Sequence, residues 1–273
     1  MILSDNRLVE NRVEQLSTLD AQGDPEFMTS LARGLAVLRC FADERQPMTI
    51  AQASRLTGLS RPAVKRCLHT LVRLGYAMQT GAHYALRPKV LALGYAYMSS
   101  SSLAMRAQPL LDQLRDDLHE SCSLGVVEED EVYYIARAEV SRIMSVALRV
   151  GSRVPLYCTS MGRVLLAGQG RAAQEAYLRR TPLVALTDKT ETDPAALLAI
   201  FDRVGEEGCA IVDQELEVGL RSVAVPVIGR DGVHAAINIG VPAGRVSLTE
   251  LRTRYLPALK RVARDLAMIV DRA

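Results

Sequence analysis

The sequence predicts an α+β chain in two parts: three short helices with a hairpin near the N-terminus, and an antiparallel sheet with helices in the C-terminal half. Three observations carry that prediction. After Met28, apolar residues recur at helical spacing in successive short segments, each bounded by a cap or a glycine. After Ser121, apolar runs bounded by turn residues cluster before and after a helical block; without strict strand–helix alternation, they favour helices at the face and edge of an antiparallel sheet. Charge is also segregated, because no Asp or Glu follows Arg45 until after Leu111, whereas nine Lys and Arg stand in that stretch of a chain whose formal net charge is only +2.

A length of 273 residues leads one to expect about two domains, and 49% apolar content is enough to give each a core. The opening MILSDNRLVENRVEQL is broken by charges every few residues and no later apolar run approaches a membrane span, so neither a signal peptide nor a membrane partner is expected, and the location should be cytoplasmic. Cys40, Cys67, Cys122, Cys158 and Cys209 are odd in number and never form C-x-x-C. They point to buried free thiols, neither a disulfide framework nor a zinc module. His69, His83, His119 and His234 lack metal-ligand spacing, so neither metal nor cofactor is expected.

Residues 1–27 read as a flexible polar arm, and residues 28–87 as the first module. Leu31, Leu35, Leu38 and Phe41 give an apolar stripe along helix one. Thr49 caps helix two, with Ala53 and Leu56 inward and Gly58 ending it in a left-handed conformation. Ser60 caps helix three, Pro62 sits in its first turn, and Val64, Cys67, Leu68 and Leu71 face inward. Arg61, Lys65, Arg66, His69 and Arg73 then point outward. Gly75 ends the helix, and YAMQTGAHYALRP reads as two strands joined at Thr80-Gly81.

Three helices and a hairpin make a winged helix-turn-helix, whose third helix enters the major groove of double-stranded DNA N-terminus first. The acid-free charge thereby acquires a purpose, which is to neutralise phosphates and release their counterions. The DNA-facing set is Thr49, Ser60, Arg61, Pro62, Lys65, Arg66, His69 and Arg73, with Arg61 and Lys65 placed for base readout. A protein-interaction module of the same shape is the alternative.

Residues 88–104 read as a linker helix whose apolar side, Val90, Leu91, Leu93 and Tyr97, exceeds what one small domain buries and so predicts pairing with a second copy. Ser99–Ser102 form a polar break before a further helix containing Pro109. Residues 105–273 form the second domain. SLGVVEEDEVYYIARAE predicts two strands around an acidic turn, and RIMSVAL a third. CTSMGRVLLAG, RAAQEAYLRR and DPAALLAIFDRVGEEG read as helices, the last capped by Asp193. GCAIVDQE, LRSVAVPVIG and VHAAINIGVP read as strands, the last two joined at Asp231-Gly232, and a final helix starts at Leu248.

No catalytic residue is expected in this domain. TSMGR departs from G-x-S-x-G and no histidine is partnered to Ser160, which is more simply a helix N-cap beside Thr159, whose first-turn N–H groups make an anion site. Asp213 and Glu215 lie two apart on a strand, and their role reads as structural. Spacing fixes no base beside Cys158.

SLARGLAVLRCF, TIAQASRLTGLSRPAVKRCLHTLVRLGY, YCTSMGRVLLAG and DQELEVGLRSVAVPV, in that order and spacing, resemble the IclR family of bacterial transcription regulators over nearly the whole chain. The likeness is greatest to the branch controlling the β-ketoadipate, protocatechuate and 4-hydroxybenzoate pathways, whose members resemble activators more than repressors. The resemblance implies a winged-helix DNA-binding domain, a linker helix and a GAF- or profilin-like effector-binding domain, in a homodimer or dimer of dimers; an activator would also meet RNA polymerase. It further implies a small aromatic or dicarboxylic acid effector held by Thr159, Ser160, Met161 and Gly162 on one wall, Asp213 and Ser222 on another, and Asn238 and Gly240 on the third. Where the founder of the family carries an aspartate and a cysteine, this chain has Val212 and Ser222, a less polar lining that suits a larger ligand. Arg142 or Arg149 is the expected partner of the effector carboxylate. A repressor of the same fold sensing another small organic acid, an enzyme with an appended DNA-binding domain and a constitutive DNA-binding protein are the competing readings.

Overall fold

Thr49 starts the second helix of the chain with a reciprocal cap: its hydroxyl accepts from the Gln52 N–H (3.3 Å), while the Gln52 side chain accepts from the Thr49 N–H (2.8 Å). This detail belongs to a computed structural model that describes residues 24–43, 46–100, 102–140 and 148–270. The chain divides after Tyr97 into two compact units.

The first unit contains helix α1 (Thr29–Asp43), strand β1 (Met48–Thr49), helices α2 (Ile50–Thr57) and α3 (Arg61–Arg73), and the hairpin β2 (Ala77–Thr80) and β3 (His83–Leu86). Gly58 takes φ +68° after α2, as a left-handed terminator must, and Ser60 accepts from the Ala63 N–H at the head of α3. Beyond the expected hairpin, Met48 and Thr49 pair with Tyr84 and His83, so the wing is a three-stranded sheet. Val37, Ala53, Val64, Leu68 and Tyr84 form the buried centre.

Helix α1 is phased differently from its expected stripe. Leu31 and Leu35 are 58% and 52% exposed, and the face turned inward is Ala36, Val37 and Cys40 with Phe41. Small residues let α1 sit close to α3, which leaves the leucines outside. A 3₁₀ turn (Pro88–Val90) then leads into α4 (Leu91–Ser100), where Leu91, Leu93, Tyr95 and Tyr97 are all exposed.

The second unit takes in the last residues of α4 and continues with α5 (Ser102–Leu118), which carries Pro109 inside it, and contains one six-stranded, wholly antiparallel sheet. Its strands are β4 (Cys122–Glu128), β5 (Glu131–Ala138), β6 (Arg153–Pro155), β7 (Ala210–Asp213), β8 (Leu220–Gly229) and β9 (Gly232–Pro242), in the order β6-β5-β4-β9-β8-β7. The acidic turn between β4 and β5 is as expected, with Glu129 and Asp130 both at positive φ. The β8–β9 turn falls one residue earlier than expected, at Arg230-Asp231, because Gly229 pairs with Gly232. The strand expected in RIMSVAL lies outside the described residues except for Leu148, and β6 has no counterpart among the expected strands.

Helices α6 (Ser160–Ala167), α7 (Arg171–Arg180) and α8 (Pro194–Glu207) cover one face of the sheet. Helix α5 covers the other, together with a C-terminal helical run: α9 (Leu248–Glu250), a π turn (Leu251–Tyr255) and α10 (Leu256–Val270). Helices thus lie on both faces, a correction to the expected single face and edge. The strand residues require it, since Val223, Val225, Ile237 and Ile239 point one way and Ala224, Ala236 and Val132 the other, all buried.

One irregularity sets which side chains meet on the α6 face. Leu124 pairs with Ala136, but Gly125 pairs with Tyr134, so Ile135 is an extra residue in β5. Ile135 and Ala136 both join the core under α5, and Tyr134 and Arg137, three apart, share the opposite face.

Candidate functional site

Two surfaces carry chemistry, one in each unit. In the first, Ser60, Arg61, Pro62, Lys65, Arg66, His69 and Arg73 are all exposed on α3, while Thr49 is half-buried in its cap. Arg61, Lys65 and His69 follow one another at steps of four and so line one helix face. Arg61, Pro62 and Lys65 border an open cleft completed by Thr49, Gln79 and Tyr84, which joins the head of α3 to the wing. Among the described residues no carboxylate pairs with the five outward side chains of α3. The field they create is therefore not cancelled locally.

The second surface lies between the sheet and the start of α6. Helix α6 runs against β9: a side chain on Gly168 would strike Val233, and one on Gly125 would come within 3.1 Å of Met161 Sδ. Gly125 pairs with Ala236, so the N-terminal end of α6 lies toward Asn238 and Gly240, further along β9. Beneath it the register aligns Arg137 with Ser123, Ser123 with Asn238, Asn238 with Ala224, and Gly240 with Ser222.

The side chains on this face are polar and mostly buried. Arg137 Nη1 donates to Ser123 Oγ (2.8 Å), while Arg137 Nε is buried with no hydrogen-bond partner among the described residues. Asn238 faces the Tyr134 hydroxyl, and burial pushes that phenol up to about 12 despite Arg137 and Asn238 favouring its charged form. Tyr134 is thus a neutral donor at any ordinary pH. Ser160 is 1% exposed, and its Oγ also lacks a partner among the described residues.

The expected wall residues fare differently. Ser160, Met161, Ser222, Asn238 and Gly240 meet here. The N-cap of α6 is Thr159 and not the expected Ser160, which is the first residue of the helix: the Thr159 hydroxyl donates to Pro155 O (2.7 Å) and accepts from the Gly162 N–H (3.2 Å). Gly162 is there because a Cβ would lie 2.2 Å from the Leu156 carbonyl oxygen, so the position serves close packing. Asp213 belongs elsewhere: alternation along β7 puts Val212 beside Ser222 and turns Asp213 to the other face, where it binds Arg221 (2.5 Å) and Lys189 (2.6 Å). Glu215 does not share a face with Asp213, since β7 ends first and Gln214 turns the chain at φ +64°. Glu215 instead grips buried Arg163 with two bonds, at 2.7 and 2.6 Å.

Arg149 is exposed in the turn before β6, where its backbone N–H donates to Ser152 Oγ, and Arg142 lies outside the described residues. Sequence reasoning misses Arg137, Ser123 and Tyr134. Only the Ile135 bulge brings Tyr134 and Arg137 to one side, and strict alternation would have separated them. Cys158 Sγ is buried, which pushes its thiol up to about 12 and keeps it from thiolate chemistry. No group of His, Cys, Asp and Glu among the described residues could hold a metal, and no helix among them is long and apolar enough to cross a membrane.

Residues 95–268 match the family described as bacterial transcriptional regulator IclR C-terminal, and residues 30–81 match the IclR helix-turn-helix domain. The chain is 52% identical over 246 residues to the Pca regulon regulatory protein of Pseudomonas putida, covering 89% of this chain and 84% of that one. It is 34% identical over 252 residues to the p-hydroxybenzoate hydroxylase transcriptional activator of Acinetobacter baylyi, covering 90% and 93%. Among solved structures, a putative transcriptional regulator from Rhodococcus sp. RHA1 superposes with a TM-score of 0.79 at 44% identity, covering 89% of this chain and 98% of that one.

Proposed function

Because the chain belongs to the IclR family of bacterial transcription regulators, we propose that it is a ligand-responsive activator of aromatic-acid catabolism genes, sensing 4-hydroxybenzoate, protocatechuate or β-ketoadipate. The observation that carries the DNA half of this reading is the unpaired basic face of α3, bordered by the wing. Ser60, Arg61, Pro62, Lys65, Arg66, His69 and Arg73 meet DNA, and Thr49 holds the head of α2 for them. Residues 28–87 form the DNA-binding domain, 88–104 the linker and 105–273 the effector domain; the N-terminal arm expected over residues 1–27 lies, up to residue 23, outside the described residues.

The effector half is supported by the polar face under α6 and by the names of the relatives, one a Pca regulon regulator and one an activator of p-hydroxybenzoate hydroxylase. Ser160, Met161, Ser222, Asn238 and Gly240 line the effector site. The neutral thiol of Cys158 and the committed hydroxyl of Thr159 favour binding over turnover. The protein acts in the cytoplasm as a homodimer or a dimer of dimers and, as an activator, contacts RNA polymerase.

Hydroxyl groups that bond a ligand hydroxyl reject its unsubstituted analogue, because buried polar atoms are then left unpaired. Thermal melting tests this: 4-hydroxybenzoate or protocatechuate should raise Tm, benzoate should do so much less, and Ser222→Ala should narrow the gap. β-Ketoadipate alone raising Tm would move the assignment within the branch. No response to any of the three would overturn it.

A further inference from the structure

Resting on that effector reading, the geometry points to Arg137 as the residue that holds the effector carboxylate, through the Nε edge of its guanidinium. A guanidinium has five N–H donors in a planar fork and grips a carboxylate best with two parallel bonds from one edge. Here Ser123 holds Nη1 and so fixes the plane of the group. The edge bearing Nε is buried and has no partner among the described residues.

An unpaired N–H of a charged group is costly to bury, and an incoming carboxylate is the acceptor that removes the cost. The second orphaned atom, Ser160 Oγ, belongs to the helix whose N-terminal end lies over the same stretch of sheet, so a ligand held by its acid at Arg137 can place a further polar group against α6. Neutral Tyr134 adds a donor beside Asn238 without repelling an anion. The chemistry recognised is a carboxylate on a flat or short body carrying a second hydroxyl or acid.

Calorimetric titration of the full-length protein tests the assignment, with 4-hydroxybenzoate, protocatechuate and β-ketoadipate as probes and 4-hydroxybenzamide as the uncharged counterpart. The wild-type chain should prefer the acid over the amide by about 10- to 100-fold, the range of a charged hydrogen-bond pair. Arg137→Gln should abolish that preference, whereas Arg137→Lys should retain part of it and Ser123→Ala most of it. DNA affinity without ligand reports whether each variant is folded, and the acid-to-amide ratio in Ser123→Ala and Arg137→Lys carries the comparison if Arg137→Gln is not.

Equal weakening of acid and amide in Arg137→Gln would make Arg137 a prop for the sheet and overturn the inference, as would undiminished binding of the acid. Binding of β-ketoadipate alone, lost in Arg137→Gln and kept in Ser123→Ala, would move the effector within the branch and uphold Arg137. A wild-type chain that binds none of the three acids overturns both.

Discussion

Asp213 shows how alternation along a strand redirects a residue whose chemistry alone would place it in a binding site. Desolvation favours its neutral form, but hydrogen bonds from Lys189 and Arg221 outweigh that and lower its pKa to about 2. The unfolded carboxyl titrates near 3.9, so folding favours the charged form; the stabilisation is complete above about pH 4 and disappears as pH falls through about 2. Asp213→Asn should therefore lower Tm at neutral pH by a modest amount, and the gap should close on acidification from about pH 4 to 2. A gap independent of pH would mean the ion pairs contribute nothing. Thr159, Ser160 and Gly162 are legible as a helix start from sequence, yet which hydroxyl is free is not. That depends on Pro155 lying within reach of Thr159, an approach made by the preceding strand's end.

Helix α3 is the most legible element, because cap, proline, apolar stripe and terminator all act within the helix and agree with one another. Its basic face yields a prediction. Neutralising Lys65 and Arg66 should weaken specific and random duplex alike and reduce the salt slope by about one unit for each phosphate no longer neutralised, as measured by fluorescence anisotropy over a salt series. Arg61→Ala should cost about 1 to 3 kcal/mol more on the specific site than on random DNA if it reads a guanine. Equal losses would remove Arg61 from base readout. Helix α1 is less legible: its leucines give the stronger hydrophobic signal, but packing against the rest of the module selects Ala36 and Val37. Strand β1 and strand β6 are two and three residues long and exist only through pairing with β3 and β5. No local pattern marks such strands.

At the scale of the molecule, the two-part α+β plan and the antiparallel sheet are readable because the first module rests on helical periodicity and the second on the order of apolar runs and turn residues, whereas the two-sided covering of the sheet is not, since burial on both faces leaves short apolar runs with no polar side. Assembly is the open prediction at this scale. Leu91 and Tyr95, one helical turn apart on α4, are each 71% exposed, an apolar display that a lone chain would not be expected to keep in water. Sedimentation should show a dimer at micromolar concentration, and Leu91→Ser with Tyr95→Ser should weaken it by at least about tenfold. A wild-type monomer with and without DNA would defeat the prediction, along with the palindromic operator it implies. The extra residue at Ile135 has a consequence for how the chain can vary. With Ile135 deleted, Tyr134 and Arg137 would stand two apart, and unbroken alternation from Val132 to Ala138 would itself keep the phenol and the guanidinium on the face under α6. The strand can therefore lose a residue at the bulge without changing which side chains face α6, whereas a residue lost from the regular stretch on either side would turn part of the strand over and carry its side chains from one layer of the protein to the other.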